Sequence, residues 1–213
     1  MNTEQIITDS RASAILYRFL NTFDIRKKIL LPVNICSIVP AVVQKAGFEP
    51  EYVDINMNDL CADEESIIQK IGKNPQQYSG IIYNYTYGIT TNKEAFFNLI
   101  KANYNLWIIE DKCSCYPDLS HSKAVDMTLF STGYAKQVDL GFGGYGIFNI
   151  PFTEGNKKKI ILEVSPDKTY VFGVNDFQLS LNEYFEQIHV VGEKTIKHKK
   201  VLNEIYKELL PKQ

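Results

Sequence analysis

Leu106-Trp107-Ile108-Ile109-Glu110-Asp111, followed after a polar stretch by Met127-Thr128-Leu129-Phe130-Ser131-Thr132-Gly133-Tyr134-Ala135-Lys136, decides the fold. Each segment is a short apolar run that ends in polar groups, the form of a strand covered on both faces. Upstream, Ile29-Leu30-Leu31, stopped by Pro32, and Gly80-Ile81-Ile82-Tyr83 repeat that form. Between them lie stretches with helical spacing. Ile15, Leu16, Phe19, Leu20 and Phe23 follow Ser10, a good helix cap, and Ser37 to Ala46 is closed by Gly47. Helices are also predicted over Ala62 to Ile71 and Lys93 to Ala102, and Glu51-Tyr52-Val53-Asp54-Ile55 predicts another strand. Strands alternating with helices predict an α/β fold, a mixed, mostly parallel sheet covered by helices.

Beyond Gly146 the pattern changes. Ile147-Phe148 and Lys159-Ile160-Ile161-Leu162 predict strands around a polar loop, and a long helical stretch runs from about Asn175 to Leu210. Its apolar positions include Leu181, Phe185, Ile188, Leu202, Ile205 and Leu209. Lys197, His198, Lys199 and Lys200 form a basic run, which reads as a solvated helix face because it is too short for a nucleic-acid surface. No repeat, low-complexity tract or linker divides residues 1–213.

A composition that is 45% hydrophobic and 23% charged is that of a globular chain, and a net charge of -2 gives no global attraction to nucleic acid or an anionic membrane. No apolar run reaches bilayer length, so no membrane helix is expected. Four cysteines are too few for a disulfide scaffold at this length, and no secretion signal opens the chain, which implies reduced thiols and a cytoplasmic location. Cys113 and Cys115 lack the second pair or histidines that a zinc site requires, so they are read as packing residues and no metal is expected.

Glu110 and Asp111 are placed where a buried strand emerges at its carboxyl end, which is where open α/β sheets hold ligands. Lys136 follows the next strand after Ser131. An acidic pair alone is an ordinary strand end, and a solitary lysine is ordinary surface. Together in one crevice, lysine, carboxylate and hydroxyl are the parts a pyridoxal phosphate site needs. The lysine amine joins the aldehyde, the carboxylate keeps the ring nitrogen protonated, and hydroxyls with helix-start amides hold the phosphate. Gly141-Phe142-Gly143-Gly144-Tyr145-Gly146 also satisfies G-x-G-x-x-G, but Ile147 to Ile150 reads as a strand where a dinucleotide fingerprint needs a helix. These glycines are therefore predicted to form a hairpin after Lys136.

Several segments in order resemble the DegT/StrS sugar aminotransferases, a branch of the fold type I pyridoxal-phosphate enzymes. Asp9-Ser10-Arg11-Ala12-Ser13-Ala14 is similar to that family's phosphate turn, with Ser10 where glycine is usual. Leu31-Pro32, Ala46-Gly47-Phe48-Glu49-Pro50 and Tyr52-Val53-Asp54-Ile55 resemble its strand, "AG-x-x-P" and "VDI" signatures, and Tyr85-Thr86-Tyr87-Gly88 its short segment ending in glycine. Ile109-Glu110-Asp111 matches its "ED" strand end, and Phe130-Ser131 through Lys136 to Gly143-Gly144 its "FS…K…GG". Gly173-Val174-Asn175 resembles its "G-x-N".

The resemblance implies a three-layer pyridoxal-phosphate large domain over residues 1–213, without the family's usual C-terminal small domain. The implied reaction transfers an amino group from an amino-acid donor to a nucleotide-linked keto sugar, in a homodimer. Lys136 would carry pyridoxal 5'-phosphate as a Schiff base, Asp111 would meet the ring nitrogen, and Ser131, Ser10 and Arg11 would hold phosphate. Asn175 would reach the neighbouring subunit's site. The sequence departs from the family at Cys36, where an aromatic stacks on the ring, and at Ser114, where glutamine or histidine approaches the ring hydroxyl. Lys112 replaces a small residue and Phe142 an acidic one. A weakly active paralogue serving as a partner subunit is the alternative, against which the retained Lys136 and Asp111 stand.

Overall fold

The computed structural model describes residues 6–149, except 24 and 26, and residues 179–209. Seven strands form one sheet: β1 (Ile6–Asp9), β2 (Lys28–Pro32), β3 (Glu49–Val53), β4 (Tyr78–Asn84), β5 (Trp107–Asp111), β6 (Met127–Ser131) and β7 (Gly144–Phe148). Their order is β1-β7-β6-β5-β4-β2-β3. The pairs β2–β3, β2–β4, β4–β5 and β5–β6 are parallel. Both pairs made by β7 are antiparallel, so β7 alone runs against the other six.

Helices α1 (Ala12–Leu20), α2 (Ile38–Lys45), α3 (Glu64–Lys73), α4 (Glu94–Tyr104) and α5 (Leu181–Leu209) complete the elements used below. Strand alternation assigns the layers, because successive side chains point to opposite faces. Ile29, Leu31, Ile82, Ile109, Met127 and Leu129 join one buried cluster with α1 and α2 residues such as Phe19 and Val42. Leu30, Ile81, Tyr83 and Ile108 join the opposite cluster with α3 and α4 residues such as Ile67 and Phe97. A third cluster seats the first half of α5, through Tyr184 and Ile188, on Phe130, Tyr145 and Ile147. The fold is α/β as expected, with helices on both faces of a mixed, mostly parallel sheet.

Several local expectations shift. The strand expected at Glu51–Ile55 is Glu49–Val53, because the parallel ladder with β2 begins at Lys28 opposite Glu49. Pro50 is tolerated there because β3 is an edge strand. Ser10 does not cap α1: its N–H and its hydroxyl both donate to Asp9 Oδ1, at 2.6 and 3.0 Å, and the N-cap position falls to Arg11 with no side-chain cap. The long helix starts at Leu181 rather than near Asn175. Ser180 and Glu183 close a capping box there, with Glu183 Oε2 accepting from Ser180 N and Oγ and the Glu183 N–H donating to Ser180 Oγ. Asn175 and the strand expected at Lys159–Leu162 lie outside the described residues.

The glycine-rich hairpin is present: β6 and β7 are antiparallel neighbours, and β7 occupies Gly144–Phe148, where a dinucleotide fingerprint would need helix. No described helix is long and apolar enough to cross a membrane.

Candidate functional site

Trp107, Ile109 and Asp111 alternate onto the α1–α2 face of β5, and Met127, Leu129 and Ser131 onto the same face of β6. Because β5 and β6 pair with Asp111 opposite Leu129, both polar ends emerge side by side beyond the apolar layer. The start of α1 closes this corner. Gly143 N–H donates to the Ser10 carbonyl at 2.6 Å, and Arg11 forms a bridge with Gly143. Gly144 makes the approach possible, since a Cβ there would stand 2.5 Å from Ala12 N. Among the described residues no side chain caps α1, and its first residues, Ala12 and Ser13, border this corner.

A cavity of about 630 Å3 occupies the corner, lined by Arg11, Cys36, Asp111, Ser114, Ser131 and Lys136 among others. Its apolar wall includes Ile35, Ile38, Val39 and Leu129. Thus six of the eight site residues expected from sequence meet at one cavity. Ser10 is not among its lining residues, and Ala12 and Ser13 stand there instead.

Asp111 is buried, and its Oδ1 accepts from Cys113 N–H at 2.9 Å. Ser131 Oγ accepts from Gly133 N–H at 3.3 Å, so the hydroxyl hydrogen remains available to a ligand. Burial pushes the Cys113 thiol well up, Asp111 adds to that, and Lys136 opposes it. Cys113 therefore stays a neutral thiol. Among the described residues no cluster of histidine, cysteine, aspartate and glutamate could hold a metal ion.

Lys136 is delivered by a constrained turn. Ala135 has φ +60°, a left-handed conformation that costs a non-glycine residue energy and recurs at functional sites. Asp139 holds the turn, accepting from Ala135 N–H at 2.8 Å and Gly141 N–H at 2.7 Å.

Glu110 separates from Asp111. Alternation turns it to the α3–α4 face, where it accepts from Tyr85 Oη at 2.9 Å and Thr128 Oγ1 at 2.8 Å. Lys112 follows it, 3.5 Å from Glu110 Oε1 and donating to the Ser120 carbonyl at 3.2 Å. The lysine that departs from the family pattern thus pairs with Glu110 on the far face.

A second cavity, about 660 Å3, adjoins the first and shares Cys36, Asn84, Ser114 and Lys136 with it. Sequence reasoning missed Asn84, Thr86, Gln137, Thr195 and Lys199 in its wall. Asn84 ends β4 directly opposite Asp111, so the strand-end rule used for β5 would have found it.

Residues 2–149 match the DegT/DnrJ/EryC1/StrS aminotransferase family. Comparison with curated proteins gives no match. Among solved structures, a DegT DnrJ EryC1 StrS aminotransferase from Brucella abortus superposes with TM-score 0.68 at 19% identity, over 97% of this chain and 61% of that one. The sugar aminotransferase CalS13 from Micromonospora echinospora gives 0.67 at 16%, over 98% and 62%. NtdA from Bacillus subtilis, with bound cofactor PMP, gives 0.67 at 21%, over 90% and 45%. The chain therefore spans less than two thirds of the length of each of these structures, and at such identities the likeness establishes the fold. With the family match covering more than half of its residues, including both strand ends that frame the cavity, the chain belongs to the DegT/DnrJ/EryC1/StrS aminotransferase family.

Proposed function

We propose that this chain is the cofactor-bearing large domain of a pyridoxal-phosphate-dependent sugar aminotransferase. It moves an amino group from an amino-acid donor to a keto sugar carried on a nucleotide, and it works as a cytoplasmic homodimer. The observation that carries the reading is the convergence of Asp111, Ser131 and Lys136, from different strand ends and turns, on one cavity beside the uncapped start of α1. The donor set fits pyridoxal 5'-phosphate: a buried carboxylate, a hydroxyl with its hydrogen free, the start of α1, Arg11 and a lysine.

Bound in this cavity, the cofactor supplies an aldehyde that joins amines and a ring that withdraws electrons from the adjoining carbon. Asp111 would keep a proton on the ring nitrogen, because an anion beside that atom favours its charged form. Ser131 Oγ, the start of α1 at Ser13 and Arg11 would hold the phosphate. Lys136 Nζ would hold the cofactor through its aldehyde and, as a free amine, would take a proton from the substrate carbon and return it. Cys36 and Ile35 provide an apolar wall in place of a flat aromatic. Asn175 remains the residue assigned to the neighbouring subunit's site.

The deciding measurement is borohydride reduction of the protein with added pyridoxal phosphate, followed by peptide mapping. The label is expected on Lys136, and the visible absorbance band should vanish in Lys136→Ala. Label on another lysine overturns the assignment. Amino transfer from glutamate to a panel of nucleotide keto sugars then tests the substrate class.

A further inference from the structure

The cavity at the mouth of the site takes one wall from α5. Thr195 and Lys199, one helical turn apart, both line it, whereas the other members of the basic run, Lys197, His198 and Lys200, do not. Lys199 Nζ donates to the Gln137 side-chain carbonyl, the residue next to Lys136. Among the described residues it meets no carboxylate, so its charge rests on a neutral acceptor. Asp139, the acidic residue of that wall, already has each oxygen engaged by a backbone N–H. Asn34 and Thr86 contribute only neutral polar groups.

A second observation points to a ligand. Asn84 is 9% exposed and lines both cavities, yet its Oδ1 is buried without a hydrogen-bond partner among the described residues. Its amide nitrogen is used on Thr86 Oγ1 at 3.0 Å. An acceptor buried without a donor is costly, and a ligand hydroxyl or ammonium can supply one.

We propose that Lys199 is the anion-binding residue of this mouth cavity. It takes a carboxylate or phosphate of the ligand that reacts beside Lys136, while Asn84 Oδ1 accepts a hydrogen bond from that ligand's hydroxyl or ammonium. The anion replaces the Gln137 amide as partner of the ammonium, a charge-assisted bond for a neutral one. This assignment deepens the aminotransferase reading and rests on it for the identity of the ligand. The shared chemistry, an oxyanion, has two sources there: the amino donor's carboxylate and the phosphate of the sugar's nucleotide.

Calorimetric titration of the full chain, loaded with pyridoxal phosphate, separates them by using glutarate as carboxylate probe and pyrophosphate as phosphate probe. Lys199→Gln is expected to weaken one probe roughly tenfold. Lys199→Arg should largely restore it, and Lys200→Gln should change neither. Gln137→Glu should weaken the same probe, because a carboxylate at that position neutralises Lys199 in place. Loss confined to glutarate assigns the donor's carboxylate, and loss confined to pyrophosphate assigns the acceptor's phosphate. Unchanged affinity for both probes in Lys199→Gln overturns the proposal. The absorbance band of the same samples reports the cofactor separately. A wild-type chain that takes up no pyridoxal phosphate but binds an anion through Lys199 sinks the cofactor reading and retains this site.

Discussion

Glu110 and Asp111 are adjacent in sequence and opposite in placement, because strand alternation sends one to each face of the sheet. Glu110 is engaged by Tyr85, Thr128 and Lys112, while Asp111 lines the cavity. In Asp111→Asn the side chain can still accept from Cys113 N–H, so the local geometry survives and the negative charge does not. Steps that place charge on the ring should slow by about a hundredfold or more, the usual scale for losing one aimed electrostatic contact. Cofactor uptake should fall far less. Single-turnover kinetics at saturating pyridoxal phosphate check this, and rates equal to wild type would remove Asp111 from the ring nitrogen. The meeting of Asp111, Ser131 and Lys136 at one cavity was legible in sequence because each closes an apolar run or the turn after it. Lys199 was not legible: within a basic run, only the seating of α5 distinguishes it from three solvated neighbours.

At the scale of elements, β7 and α1 depend on each other through two glycines. Gly144→Ala places a Cβ within 2.8 Å of Ala12 N, Cα and Cβ, all atoms of a packed helix start that cannot swing aside. The Gly143–Ser10 bond then lengthens and the α1 amides withdraw from Ser131. We expect a stability loss of about 1–3 kcal/mol, the usual cost of overpacking, together with pyridoxal-phosphate affinity at least roughly tenfold weaker. Chemical denaturation and cofactor titration read the two effects. Lost stability with unchanged affinity would show that α1 is not the phosphate anchor. The edge strand β3 offers a pH test. Burial alone would raise the Glu51 carboxyl, but bonds from Lys70, Lys28 and Tyr78 overcome it and hold the group at about 2, below its ordinary 4.5. A depressed folded-state value contributes stability that is complete above 4.5 and is lost as pH falls toward 2. Glu51→Gln should therefore flatten the acid limb of the stability profile within that window, and an unchanged limb would remove the network's role. Elements with both faces covered were easiest to read from sequence. β1 was missed, being four residues long with one apolar pair at the sheet edge, and the start of α5 was misplaced because the Ser180–Glu183 capping box was overlooked.

At the scale of the whole molecule, the parallel strands end at a surface that carries the cavities and unusually exposed aromatic groups. Tyr134 is 86% exposed and Tyr87 72%, and each lines one of the two cavities. Ile89, close to Tyr87 in sequence, and Val33, next to the lining residue Asn34, are also exposed. Apolar surface gathered at a site rim is the mark of an interaction face, and aromatic residues supply much of the energy in such interfaces. In the proposed homodimer, this face would set the two sites at or near the contact between subunits. The prediction follows from how little Tyr87 and Tyr134 contribute to their own chain. In the double variant Tyr87→Ala and Tyr134→Ala, thermal stability measured on the dissociated chain should stay close to wild type. The dimer dissociation constant should rise by roughly tenfold or more, since truncating even one central aromatic anchor commonly costs over about 1 kcal/mol. Sedimentation across a concentration series measures the constant directly. A wild-type chain that stays monomeric when loaded with pyridoxal phosphate would end the dimer proposal. A variant that associates as tightly as wild type would move the contact elsewhere and leave the exposed tyrosines to the substrate.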